Sequence, residues 1–353
     1  MKKYLTIYSK IRNDIISGAI EYGRKLPSKR ATGEKFSCSL ITVEHAYGLL
    51  QSEGYIESKE RSGYYASYYR GKVFIESGEE TEKEKRAIRV KDENIPFTTL
   101  AKTYRYVLSE YAESVLVKSL NQGNYDLRLA IKRYLERNRN VSVDTDQIII
   151  GSGAEYFYGL IIEFFPKNTT FAIENPSYKQ IENVYKSKGA KYEMLSLAGD
   201  GISSADLNNT KAKVLHTTPY RSFPTGISAS VSKKAEYIAW AEGKGNYIIE
   251  DDYESEFSLN GSITDTIFSM DNGNRVIYIN TFTKTVCKSM RVGYMILPKN
   301  LLEKYREKLG FYSCTVPTLE QYVVACLLNS GTFERHLNKI RRQRKKELLN
   351  KSD

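Results

Sequence analysis

The stretch Tyr278-Ile-Asn-Thr-Phe-Thr-Lys-Thr285 is a β-rich run that ends in a polar turn carrying Lys284. Upstream, Tyr247-Ile-Ile-Glu-Asp-Asp-Tyr253 is a second apolar run that closes on acids. Side chains alternate along a strand, so Asp251 and Tyr253 share one face and Asp252 takes the other. A lysine amine can form a Schiff base with an aldehyde, and an aspartate can pair with a protonated pyridine nitrogen. Together the two segments carry what a pyridoxal phosphate site needs. Taken singly, Lys284 reads as a surface lysine and Glu-Asp-Asp as a solvated strand end.

Around these segments, apolar runs alternate with helical patterns from Ile95 onward. Strands are expected at 147–150, 170–174, 213–217, 246–250, 275–280 and 292–297, with helices between most of them. That alternation predicts an α/β domain over 95–353 with a mainly parallel sheet. Residues 71–94 are charged and poor in large apolar side chains, as a linker would be.

The first 70 residues have a different pattern. Apolar side chains at Tyr4, Ile7, Tyr8, Ile11, Ile15 and Ile16 predict a helix over 4–19. Ser28 is placed to cap a second helix running through Phe36. A third, over 39–53, should bury Val43, Ala46, Tyr47, Leu49 and Leu50. Two short runs around a charged turn at 59–61 predict a β-hairpin. Three helices and a hairpin make a winged helix-turn-helix. In the first 72 residues, thirteen Lys and Arg face seven acids, so more than half of the chain's net +11 falls in a fifth of its length. That excess suits a polyanionic partner.

The whole chain has 353 residues, long enough for more than one core. Four scattered cysteines without a CxxC pair and three separated histidines offer neither a disulfide framework nor a zinc site. The apolar stretches are too short to span a bilayer, and the N-terminus lacks a signal-peptide core, so no membrane partner is expected and the expected location is cytoplasmic.

Three ordered motifs, Gly23-Arg-Lys-Leu-Pro-Ser-Lys-Arg30, Ala46-Tyr-x-x-Leu-x-x-Glu-Gly-Tyr-Ile56 and Ser62-Gly-Tyr64, resemble the GntR family of bacterial repressors. The resemblance implies binding of double-stranded DNA. Lys25, Lys29 and Arg30 would position the phosphate backbone, and Ser39, Leu40 and Thr42 would open the base-reading helix. Arg61, Ser62 and Gly63 would form the wing tip. Leu40 and Glu44 stand where that family usually carries arginines.

The remainder resembles fold-type I aminotransferases, and the order of the two parts resembles the MocR regulators. Gly151-Ser-Gly-Ala-Glu155, Glu174-Asn-Pro-Ser-Tyr178, Thr218-Pro-Tyr-Arg-Ser-Phe-Pro-Thr-Gly226, the Asp251-x-Tyr253 strand end and the Lys284 segment carry the likeness. It implies pyridoxal 5′-phosphate linked to Lys284. Asp251 would face the pyridine nitrogen, Tyr253 the ring hydroxyl and Tyr178 the ring face. Thr281, Arg291 and the backbone amides of Gly153, Ala154 and Glu155 would hold the phosphate. Lys118, Lys288 and Ser289 depart from the family pattern. The stretch 320–353 resembles helices that lead into a small C-terminal domain, which is expected to be missing together with its carboxylate-binding arginine. The basic run 339–346 reads as a solvated helix face or a DNA contact.

The reading that follows is a homodimeric, DNA-binding transcription regulator whose aminotransferase-like domain binds pyridoxal phosphate, alone or as an amino acid or amine adduct, as effector. Two alternatives stand beside it. One is a degenerate domain kept for dimerisation. The other is a working aminotransferase, which would need a carboxylate anchor not found in this sequence.

Overall fold

The computed structural model describes residues 3–59, 62–67, 94–258, 265–272 and 274–349. Arg61 and nearly all of the expected linker lie outside them. The chain divides into two compact units, Met1–Val90 and Lys91–Asp353.

In the first unit, α1 (Lys3–Ile16), α2 (Lys29–Lys35) and α3 (Leu40–Ser52) precede an antiparallel hairpin of β1 (Ile56–Lys59) and β2 (Gly63–Ala66). The helical spacing of Ile7, Ile11 and Ile15 lays one apolar stripe against Val43, Ala46, Tyr47 and Leu50 of α3. Helix α1 ends before the residue expected, because Gly18 takes a left-handed conformation. Leu49 is only half-buried. Ser28 caps α2 by accepting from the Ala31 amide at 3.2 Å.

The second unit opens with α4 (Phe97–Tyr111) and α5 (Tyr125–Arg139), followed by β3 (Ile148–Gly151) and α6 (Ala154–Phe164). Next come β4 (Thr170–Asn175), α7 (Lys179–Ser187), β5 (Lys191–Ala198), β6 (Gly201–Ile202), α8 (Ser204–Asn209) and β7 (Val214–Thr217). Then follow α9 (Val231–Lys244), β8 (Tyr247–Asp251), the one-turn α10 (Ile267–Met270), β9 (Val276–Thr281) and β10 (Gly293–Ile296). Helices α11 (Leu302–Leu309), α12 (Thr318–Asn329) and α13 (Thr332–Leu349) complete the unit.

The strands form one eight-stranded sheet in the order β3-β10-β9-β8-β7-β4-β5-β6. Pairings among β5, β4, β7, β8 and β9 are parallel, while β10 runs antiparallel to both β9 and β3. The six expected strands form within a residue or two of their expected ends. Strands β5 and β6 were not among them, since β5 is largely exposed and lacks a continuous apolar run.

Alternation along the central strands feeds two cores. Ile148, Ile150, Leu215, Ile248 and Tyr278 pack under α5, α9 and α12. Ile149, Ile173, Val214, Ile249 and Ile277 pack under α6, α7 and α11. Helices on both faces bury the sheet from water on both sides, as a parallel sheet requires. The chain reverses its direction of travel across the sheet between β4 and β7. At such a point the loops beyond the strand carboxyl ends part and leave a crevice.

Candidate ligand cavity and DNA-reading surface

A cavity of about 280 Å³ lies beyond the carboxyl ends of the strands and is lined by Ala154, Glu155, Tyr178, Asp251, Tyr253, Thr281, Lys284 and Arg291. Segments from Ala154 to Arg291 thus meet at one end of the sheet. Gly153 lies just outside this lining, against Arg291. A Cβ at position 153 would come within 2.9 Å of Arg291 Nη2, and the residue has φ +104°, so only glycine fits this turn.

The strand end Glu250-Asp251-Asp252 is buried, not solvated. Asp251 Oδ2 accepts a hydrogen bond from the Tyr158 hydroxyl. Its Oδ1 is buried and has no partner. Burial pushes the Asp251 carboxyl up to about 7, with the Tyr158 bond and the Lys284 charge pulling the other way and Asp252 and Glu174 adding to the rise. A buried oxygen left without a donor, on a residue that lines a cavity, calls for a cationic or N–H partner supplied from outside. A protonated pyridine nitrogen meets that need.

Lys284 Nζ donates to Glu254 Oε1 at 2.8 Å and lies 4.1 Å from the centre of the Tyr253 ring. Tyr253 donates to the Arg221 carbonyl at 3.5 Å, and burial lifts its hydroxyl to about 12. Arg221 Nη1 reaches Glu254 Oε2 at 3.9 Å. Arg291 Nη2 pairs with Glu155 Oε2 at 2.6 Å. Helix α6 opens at Gly153 without a side-chain cap, which leaves its first-turn amides toward the cavity end where Arg291 sits. At the mouth, Tyr178 and Phe223 meet edge to face, 6.0 Å between ring centres.

Buried Glu174 ties the far wall together. It accepts from Thr217 Oγ1 at 2.6 Å, the Thr218 amide at 2.9 Å and Ser222 Oγ at 2.5 Å. Those bonds fasten the loop carrying Phe223 to the end of β4. Sequence reasoning missed Tyr158, Glu254 and Phe223. Tyr158 stands one helical turn after Ala154 on the same face of α6, a spacing that could have found it. Glu254 follows Tyr253 directly. Phe223 lay inside a segment singled out only as a whole.

In the head, Ser39 caps α3. Its hydroxyl accepts from the Thr42 amide at 3.3 Å and bonds the Thr42 hydroxyl at 2.9 Å. Both hydroxyls expected to face DNA are therefore engaged in starting the helix. Lys29 Nζ pairs with Glu44 Oε1 at 2.5 Å and lies over Tyr64, while Lys25 lies over Tyr65. Arg30 is exposed, and Leu40 and Ile41 project at 53% and 77% exposure from the first turn of α3. Ser62 bonds the Tyr65 hydroxyl at 2.6 Å, and Gly63 takes φ +111° in the hairpin. The basic run on α13 is not simply solvated. Arg341 Nε donates to the Glu256 carbonyl at 2.7 Å, and Arg344 lies over Phe257.

The family described as bacterial regulatory proteins, gntR family, matches residues 3–65. Over 98% of this chain and 77% of the relative, the sequence is 30% identical to the uncharacterized HTH-type transcriptional regulator YdeL of Bacillus subtilis. It is 25% identical, over 95% of this chain and 73% of the relative, to the probable rhizopine catabolism regulatory protein MocR of Rhizobium meliloti. This chain belongs to the MocR subfamily of GntR-type transcription regulators. The fold of its second unit matches the multiple substrate aminotransferase of Thermococcus profundus with a TM-score of 0.64, at 23% identity, over 78% of this chain and 74% of that one. The regulator thus couples a winged helix-turn-helix of the gntR family to an α/β domain with the fold of an aminotransferase. Among the described residues no helix is long and apolar enough to cross a membrane.

Proposed function

We propose that this regulator senses pyridoxal 5′-phosphate, alone or joined to an amino acid or amine, and that the ligand alters how a homodimer binds its DNA operator. The unpartnered Asp251 Oδ1 carries this reading, because it is buried beside a cavity that also holds a lysine amine and an arginine. When bound, the cofactor would supply an aldehyde for covalent capture and a ring nitrogen for Asp251.

The chain's own residues would bind and orient it. Lys284 would anchor it, and Asp251 would hold a proton at the ring nitrogen. Tyr178 would cover the ring face, with Tyr253 beside the ring hydroxyl. Thr281, Arg291 and the amides of Gly153, Ala154 and Glu155 would take the phosphate, the first-turn amides adding the positive end of the α6 dipole. Exposed apolar side chains at Phe97, Leu116, Val117 and Leu120 support pairing with a second copy. On the operator, Arg30, Lys25 and Lys29 would meet phosphates, and the first turn of α3 would offer Leu40 and Ile41 to thymine methyls.

Ligand and DNA can influence each other only through a difference in ligand affinity between the free and the DNA-bound protein, and that influence is reciprocal. The test is the absorption spectrum of the full chain with added pyridoxal phosphate, wild type beside Lys284→Ala. The expected result is a visible band that disappears in the variant, together with a change in operator affinity in wild type only. A wild-type chain that shows no band would overturn the reading. The domain would then serve as a dimerisation platform, with its Lys284–Glu254 and Arg291–Glu155 pairs as permanent fixtures.

A further inference from the structure

Both cations that the proposed ligand needs are already matched by a carboxylate of this chain, and the two matches differ in kind. Glu254 meets Lys284 beside the ring of Tyr253. Glu155 meets Arg291 at the opposite, phosphate-holding end, at the opening of an α-helix where a phosphate would itself sit. An acid in the first turn of a helix is ordinary, since it complements the helix dipole. Here its carboxylate also occupies the guanidinium that lines the cavity, at 2.6 Å, with both side chains about half-exposed. Arg291 also lies beside the Gly153 turn, where a Cβ would come within 2.9 Å of its Nη2.

We propose that Glu155 is an internal competitor for the phosphate of the ligand, occupying Arg291 when the cavity is empty and setting how tightly a phosphate monoester binds. The proposal rests on the reading of the cavity given above. A phosphate dianion presents more charge and more acceptor oxygens to a forked guanidinium than one carboxylate does, so it can displace Glu155. The displaced carboxylate stays tethered near the phosphate, and this like charge also weakens binding. A site with this arrangement releases its ligand when supply falls, as a sensor must. It also gives phosphorylated ligands less advantage over unphosphorylated ones than an unmasked arginine would.

The experiment titrates wild type, Glu155→Gln, Arg291→Gln and the double variant of the full chain with three compounds. These are pyridoxal 5′-phosphate, pyridoxal, and pyridoxine 5′-phosphate, which carries the phosphate but no aldehyde. Binding is read by calorimetry, with the visible band as a second readout for the two aldehydes. Glu155→Gln is expected to tighten both phosphate esters about five- to tenfold, the range of one partly exposed charge contact plus relief of one like charge. Pyridoxal affinity should stay within about twofold of wild type. In the Arg291→Gln background most of the tightening should vanish, which a general change in folding or helix stability would not produce. Equal or weaker ester binding in Glu155→Gln, with wild type binding normally, overturns the competitor role and leaves the reading of the cavity intact. Failure of wild type and Glu155→Gln alike to bind either ester overturns both.

Discussion

Asp251 and Asp252 are neighbours at the end of one strand, yet they live in opposite chemical worlds. Asp252, on the face away from the cavity, accepts from the Tyr278 hydroxyl at 2.7 Å and lies 3.3 Å from Arg139, which also reaches Glu256 at 3.4 Å. Asn280 donates to Glu256 at 2.6 Å, and Arg341 of α13 bonds the Glu256 carbonyl. Asp251 has one hydroxyl on one oxygen and nothing on the other. Both carboxylates are buried almost completely. The Asp252 carboxylate is satisfied by the chain, whereas the open oxygen of Asp251 belongs to a residue that lines the cavity, where a ligand can reach it; the buried Glu256 Oε2 is also without a partner but does not line that cavity.

Breaking the satisfied side should have the largest effect on stability. Arg139→Met removes the one guanidinium that both Asp252 and Glu256 face and leaves two buried acids uncompensated. The expected cost is about 3–5 kcal/mol of domain stability, measurable as an early urea midpoint for the second unit. A loss below about 1 kcal/mol would mean that the network is hydrated and that the contrast with Asp251 fails.

The unsatisfied side should respond in the opposite direction. Asp251 has its carboxyl raised from 3.8 to about 7, so the folded state binds its proton more tightly than the unfolded state does. Its contribution to stability is therefore fully present below pH ~4 and is lost as pH rises through about 7. Asp251→Asn keeps an acceptor for Tyr158 and removes the charge. It should stabilise the ligand-free protein by about 2 kcal/mol at pH 8, half of the roughly 4 kcal/mol ceiling set by the shift, with the gain shrinking toward pH 5. Melting curves at the two pH values check this, and a variant less stable than wild type at pH 8 would sink it.

This contrast was half legible in the sequence. The period of two along 247–253 placed Asp251 with Tyr253 and sent Asp252 the other way, and both lie as expected. The identity of each face's partners was not legible. Arg139 ends α5, and Tyr158 lies mid-helix among apolar residues that read as packing. Only the fold brings either to the strand. The same holds in the head, where the caps and the core stripe could be read from spacing. The Lys29–Glu44 pair could not, because side chains from two different helices meet there across a turn.

That pair sharpens the comparison with a charge match that is satisfied but exposed. Such pairs contribute little to stability, so Glu44→Ala should leave the melting temperature nearly unchanged. It should free Lys29 for the backbone, tightening binding to generic duplex DNA about three- to fivefold at low salt and steepening the salt dependence by about one ion. Fluorescence anisotropy over a salt series measures both. An unchanged slope would show that Lys29 does not reach a phosphate.

A small stability effect also belongs to the residue with the largest proposed consequence. Lys284 is nearly half-exposed, and its partner Glu254 is also within reach of Arg221. Lys284→Ala therefore strands no carboxylate, and the domain should lose less than about 0.5 kcal/mol. Covalent capture of pyridoxal phosphate should nevertheless be abolished, while noncovalent binding through the Arg291 end survives in weakened form. Thermal melts and the visible spectrum of the same sample separate the two quantities. A destabilisation comparable to that of Arg139→Met would place Lys284 among the structural charges, with Glu254 as its obligatory counterion, and the distinction between the two faces of β8 would no longer coincide with the distinction between structure and site.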